Sequence, residues 1–160
     1  MTIIPYTKQH RTQLSDAMAD YMDELNCGIP EDIIRGKLAD LIDCQCEAGI
    51  IRVDLAMEEG LCIGFSVYQI DKPESDWCKR PGWGFIREFY IAPGFRHRGY
   101  GAALATHVEE DLKKLGIWAM RMYFTTENAQ ETDRVLADFI QNTPMDPSSC
   151  TRGLYLRGLD

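Results

Sequence analysis

The sequence predicts a single α/β domain, and three observations predict it. Hydrophobic residues make up 45% of 160, enough to bury one core of ordinary size. Apolar residues recur at helical spacing in some segments and alternate in others. Turn residues separate these segments at short intervals, and no linker, low-complexity tract or internal repeat interrupts them.

The elements follow in the order β-α-α-β-β-β-α-β-α-β. Residues 2–6 alternate weakly, as a short strand does. Leu14, Met18, Tyr21, Met22 and Leu25 share one face of a helix over residues 8–25, and Asn26-Cys27-Gly28 stops it. Pro30-Glu31-Asp32 opens a second helix, since proline suits a first turn and acids suit its positive end. The apolar stripe of this helix is Ile33, Ile34, Leu38, Leu41 and Ile42, and Gly49 closes it. The period then falls to two. Ile51, Val53, Leu55 and Met57 alternate with Arg52, Asp54, Ala56 and Glu58, and Glu59-Gly60 turns the chain into a β-rich run from Leu61 to Ile70. A polar loop over 71–82 leads to a further β-rich run, Trp83 to Ala92. Pro93-Gly94 breaks it before a helix over 99–115 that buries Leu104, Val108, Leu112 and Leu115. A strand from Ile117 to Thr125, a helix from Ala129 to Ile140, a Pro/Ser loop from Asn142 to Thr151 and a strand from Leu154 to Leu159 complete the chain.

Composition excludes several function classes. Lys and Arg number 17 against 25 Asp and Glu, a formal net charge of -8, whereas a nucleic-acid partner needs a basic face. No run approaches the ~20 apolar residues of a membrane span. The opening residues lack the basic-then-apolar pattern of a signal peptide, so the six cysteines read as reduced thiols in the cytoplasm. Cys44 and Cys46 are the one close pair, and two positions apart on a helix they point in different directions, so no metal site is expected. His10 and His107 fall on charged helix faces and are expected in solvent. Asp16, Asp20, Asp23 and Glu24 read as the wet face of the first helix, with some pull on a cationic ligand.

The informative stretch runs from Glu88 to Ala102: a strand, a tight turn and a helix N-terminus within fifteen residues. Such a turn presents free backbone N–H groups at the positive end of a helix dipole, which suits a phosphate or pyrophosphate. Gly99 and Gly101 admit close approach of an anion, and Arg96, His97 and Arg98 form a cationic cluster in an acidic chain. Three templates compete. A Walker loop fails because Tyr100 and Gly101 stand where lysine and a hydroxyl are needed. The dinucleotide pattern fails at its third glycine, where Leu104 stands, and it would belong to an earlier βαβ unit. Arg/Gln-x-x-Gly-x-Gly/Ala is met at every fixed position by Arg96-His97-Arg98-Gly99-Tyr100-Gly101.

With a strand ending in aromatic–aliphatic–x–Pro before it and an amphipathic helix after it, this segment resembles the acetyl-CoA-binding motif of the GNAT N-acetyltransferase superfamily. The resemblance is strong over residues 83–128 and rests on element order elsewhere. It implies one domain over 1–160, with a central, mixed, mostly antiparallel sheet of about six to seven strands flanked by about four helices. It further implies acetyl transfer from acetyl-CoA to a primary amine of a small molecule or peptide by direct attack on the thioester. Acetyl-CoA is then a co-substrate, no metal is needed, neither nucleic acid nor membrane is a partner, and a homodimer is compatible.

Site residues carry over by position. The pyrophosphate would lie on the backbone of Arg96, His97, Arg98, Gly99, Tyr100 and Gly101 with Ala102, and the pantetheine arm along Tyr90, Ile91 and Ala92. Asn128 would touch the cofactor, or else cap the helix that follows it. Glu88 would be the general base, because an alkyl amine of pKa about 10 arrives protonated and only its neutral form attacks. The alternative is a solvated or ion-paired strand residue, though Arg87 points to the other face. One departure stands out: Val135 and Leu136 occupy the place where the family commonly carries a tyrosine that protonates the departing thiolate. Tyr123 and Tyr155 are the candidate substitutes. The departure leaves a catalytically degenerate acyl-CoA-binding module as the alternative function, with an unrelated anion-binding domain third. The acceptor site, shaped in similar proteins by segments matching 8–48 and 71–82, carries no motif.

Overall fold

In the computed structural model, which describes residues 1–74, 81–117, 119–123 and 154–158, the two-residue alternation after Gly49 becomes strand β2 (Arg52–Glu58). It pairs antiparallel with β1 (Thr2–Pro5) on one side and β3 (Leu61–Ile70) on the other. Glu59 and Gly60 both take positive φ, 50° and 83°, the backbone that a two-residue hairpin turn requires. The strands β4 (Gly84–Ile91), β5 (Ala119–Tyr123) and β6 (Leu154–Gly158) follow, and hydrogen-bonded neighbours keep chain order from β1 to β6. The described helices are α1 (Arg11–Glu24), α2 (Glu31–Ile33), α3 (Ala39–Glu47) and α4 (Tyr100–Lys114). No described helix is long and apolar enough to cross a membrane.

The chain divides into two compact units, Met1–Gln69 with Glu88–Val108, and Ile70–Arg87 with Glu109–Asp160. In the first unit the sheet is covered on both faces. Val53, Leu55, Phe65, Val67 and Tyr90 pack with Leu14, Met18, Ile34 and Ile42 from the N-terminal helices. Ala56, Ile63 and Ile91 pack with Leu104 of α4. Alternating side chains along a strand reach both clusters, so β2 has no wet face over its buried residues Val53 to Ala56. Asp54 is buried there, accepting from the Tyr68 hydroxyl at 2.9 Å with His107 Nε2 at 3.6 Å. The His107 side chain, 35% exposed, thus reaches a buried carboxylate while keeping solvent contact, and His10 accepts the Thr7 N–H on Nδ1 at 3.2 Å in an exposed local bond. A Cβ at Gly64 would strike the Tyr90 carbonyl and the Ile91 side chain, so only glycine allows β3 and β4 their close approach there.

The second helical region departs from even winding. Between α2 and α3, Ile34–Leu38 is a π-helical segment, whose wider turn advances the apolar stripe relative to an ideal helix. Ile34, Ala39 and Ile42 are buried while Leu41 is 50% exposed, which corrects its expected place in the core. Arg11 donates from Nη2 to the Arg35 and Gly36 carbonyls of the widened turn and to Asp40, and from Nη1 to Asp43. Leu115, also expected inside, is 41% exposed, because it lies just past the last turn of α4.

In the second unit β4 runs parallel to β5, pairing Gly84 with Met120 and Ile86 with Met122, and β5 runs antiparallel to β6. A Cβ at Gly84 would crowd Leu112, a fully buried core residue. The helix expected over 129–140, the loop 142–151 and the centre of the loop 71–82 lie outside the described residues.

Candidate active site

The site grows from the last four residues of β4. Successive side chains leave a strand on opposite faces, so Glu88 and Tyr90 turn toward α1 while Phe89 and Ile91 join the cluster with Leu104. Tyr90 is a core residue. Its ring centroid lies 5.4 Å from Tyr21 and 5.7 Å from Phe65, and Tyr21 meets Phe65 edge-on at 5.6 Å. This aromatic packing fixes the Tyr21 ring, and its hydroxyl donates to Glu88 Oε2 at 2.5 Å. Burial, then the bond to Glu88, push the Tyr21 phenol far above its ordinary range. Tyr21 therefore keeps its proton and half-buried Glu88 is the acceptor.

After β4 the chain turns sharply. Ala92 donates its N–H back to Ile63 at 2.8 Å, and Pro93–Phe95 form a single 3₁₀ turn. His97 and Gly99 both adopt left-handed backbone, at φ 61° and 80°. A non-glycine residue there is uncommon and marks a constrained turn. The first bond inside α4 runs from the Ala103 N–H to Gly99 at 3.0 Å, so the amides of Tyr100, Gly101 and Ala102 precede it. A Cβ on Gly101 would stand 3.8 Å from Ile91 and 3.9 Å from Phe89, which shows how closely the first turn of α4 approaches β4.

The cationic cluster divides. Arg96 donates from Nε to the Ile91 carbonyl at 2.8 Å and from Nη2 to both Glu24 oxygens at 2.8 and 2.6 Å, with its guanidinium 5.9 Å from the Tyr90 ring centre. Arg98 is exposed, 5.3 Å over the Phe95 ring. Tyr100 donates to Glu58 at 2.6 Å, which holds that carboxyl below its ordinary range. Amides at the positive end of a fifteen-residue helix, a left-handed turn and an exposed arginine fit a pyrophosphate group.

A protein-family profile described as acetyltransferase (GNAT) family matches residues 13–135. The chain belongs to the GNAT acetyltransferase family. It is an acetyltransferase of that type. Solved structures share the fold. A GNAT-family acetyltransferase from Staphylococcus aureus Mu50 superposes with a TM-score of 0.68 at 14% identity, covering 99% of each chain. The PaiA N-acetyltransferase of Thermoplasma acidophilum, in complex with coenzyme A, gives 0.68 at 18% identity and the same coverage. The aminoglycoside acetyltransferase AAC(6')-Iy, in complex with a bisubstrate analogue, gives 0.67 at 21% identity over 94% of this chain and 97% of that one. Among curated proteins no significant match is found.

In this acetyltransferase the turn residues Arg96 to Ala102 lie together directly after the strand that carries Glu88, Tyr90 and Ile91. Tyr123 ends β5 and pairs with Leu154, while Tyr155 pairs with Met122 on the next rung. Asn128 lies outside the described residues. Sequence reasoning assigned Tyr21 to packing alone, since its helical spacing with Leu14 and Met18 signals a core face. It also missed that Glu24 binds Arg96. Beside α1 a cavity of about 490 Å³ is lined by Asp16, Asp20, Asp23, Glu31 and Arg35 among others. Asp16, Asp20 and Asp23 are exposed, as a wet helix face requires, and Asp16 accepts from Arg35 at 2.5 Å.

Proposed function

We propose that this enzyme transfers the acetyl group of acetyl-CoA to a primary amine of a small molecule or peptide, with Glu88 as the general base. The observation that carries the reading is the Glu88 carboxylate, half-buried and held by Tyr21, three residues before β4 gives way to the anion-binding turn. Acetyl-CoA supplies an activated thioester. The amides of residues 96–102 with Arg98 would hold its pyrophosphate, and the β4 backbone around Tyr90, Ile91 and Ala92 would guide the pantetheine arm. Within that stretch the Ile91 carbonyl and the Ala92 N–H already have protein partners, so the arm would use the remaining groups.

Glu88 takes one proton from the alkylammonium, directly or through a water. The freed nitrogen pair forms the bond to the acetyl carbon, the carbon–sulfur bond breaks, and its electron pair leaves on sulfur. The nitrogen's second proton is released as the amide forms, and the thiolate takes up one proton. Tyr123 and Tyr155 are the proposed donors to sulfur, and Asn128 a proposed cofactor contact. A thiol of pKa about 8.5 leaves acceptably even unaided.

The acidic cavity beside α1 supports a cationic acceptor, and the aminoglycoside enzyme of the same fold supports an amine. The net charge of -8 supports a partner set without nucleic acid, and the described free cysteines, Cys27, Cys44, Cys46 and Cys62, support a reducing cytoplasm. A panel of primary amines, with release of coenzyme A thiol as the readout, tests the proposal. Turnover with at least one cationic amine is expected. Binding of acetyl-CoA with no turnover on any amine would instead identify an acyl-CoA-binding module.

A further inference from the structure

The geometry points to Tyr21 as a positioning residue for Glu88, an assignment that rests on Glu88 acting as the base. The two residues are 67 positions apart, one on α1 and one on β4, yet the phenol oxygen is 2.5 Å from Glu88 Oε2. The Tyr21 ring cannot swing away without losing its contacts to Phe65 and Tyr90 at 5.6 and 5.4 Å. A rigid donor therefore fixes one oxygen of a side chain that otherwise samples several rotamers. Oε1 is left to receive the amine's proton, and a base held in one geometry gains the rate advantage of a pre-oriented group.

Tyr21 does not take that proton itself. Its burial and its bond to a carboxylate both favour the neutral phenol, so it remains a donor throughout the cycle and no net proton passes through it. The charged and titratable groups around the pair are Glu24 and Cys27 near Tyr21, and Asp20, Glu24, Arg96 and Cys62 near Tyr90. Glu24 is itself paired with Arg96. The orientation of the carboxylate is thus set by α1, the helix whose Asp16, Asp20 and Asp23 line the acidic cavity.

A double-mutant cycle tests this, with Tyr21→Phe, Glu88→Gln and the combined variant compared by kcat and by KM for the amine and for acetyl-CoA. Phenylalanine keeps the ring packing, and thermal unfolding of each variant verifies the fold. Tyr21→Phe is expected to lower kcat about tenfold, the scale of one hydrogen bond to a charged group. Both KM values should stay within about twofold, and the same change should have no effect when Glu88 is already glutamine. An equal loss in both backgrounds would overturn the proposal, since it would show that Tyr21 acts through packing. Parent-rate turnover of Tyr21→Phe, where Glu88→Gln alone is slow, would overturn the role of Tyr21 and leave the base intact. Parent-rate turnover of Glu88→Gln would overturn both.

Discussion

Arg96 is bound to Glu24, at the last residue of α1, through two contacts of 2.8 and 2.6 Å, while its Nε holds the Ile91 carbonyl. The side chain that the motif offers as a phosphate ligand is thus a brace between α1, the end of β4 and the turn. Arg98, two residues on, is exposed over the Phe95 ring. Arg96 and Glu24 are each about one-third exposed, 34% and 33%, so solvent screens their pairing and the backbone contact matters more. Arg96→Ala should lower the free energy of unfolding by about 1–2 kcal/mol, and Glu24→Gln by less than about 1 kcal/mol. Urea denaturation compares them. Equal losses would show that the bond to Ile91 contributes nothing.

Gly99 has open space where a Cβ would lie but a φ of 80°. Gly99→Val should cost about 1–2 kcal/mol of stability through left-handed backbone alone. It also places a branched side chain at the mouth of α4, the proposed pyrophosphate site. Coenzyme A affinity, measured by calorimetry on the folded variant, should fall at least about tenfold. Arg96→Ala should weaken binding less, since its guanidinium is already engaged. Normal affinity in Gly99→Val would remove the turn as the pyrophosphate site.

Acid should weaken one contact at the start of α4. The Tyr100 hydroxyl holds Glu58 below its ordinary range. A carboxyl whose pKa is lower when folded favours folding above its unfolded value, and that contribution disappears as pH falls through the folded value. The parent should therefore melt higher than Glu58→Gln near neutral pH, and the two should converge below about pH 4. A difference that stays constant from neutral pH to pH 3 would rule out the charge of Glu58 as its source.

What the sequence made legible is local. The turn from Ile91 to Tyr100 and the hairpin at Glu59-Gly60 are encoded by adjacent glycines and by a change of period, and both stand where expected. Relationships across the fold were hidden. No spacing links Tyr21 to Glu88, 67 residues on, or Glu24 to Arg96, 72 residues on. The helical spacing of Tyr21 marks only a core position, because an aromatic ring fills a core while its hydroxyl does other work. Asp54 occupies a polar position in an alternating strand and is buried all the same, because α4 covers that face and the Tyr68 hydroxyl donates to the carboxylate. The π segment over Ile34–Leu38 contains ordinary helix formers around Gly36, so nothing in its composition marks the wider turn.

The most direct measurement is steady-state turnover of Glu88→Gln with the best amine of the panel, across pH, alongside its affinity for coenzyme A. Glutamine has nearly the same size and can still accept from Tyr21, so the fold and coenzyme A binding should be kept. Turnover near neutral pH should fall about a hundredfold or more, the scale of a positioned base. The gap should narrow at high pH, where solvent takes the proton of an amine with pKa about 10. Turnover at the parent rate near neutral pH would contradict the assignment of Glu88 as the base.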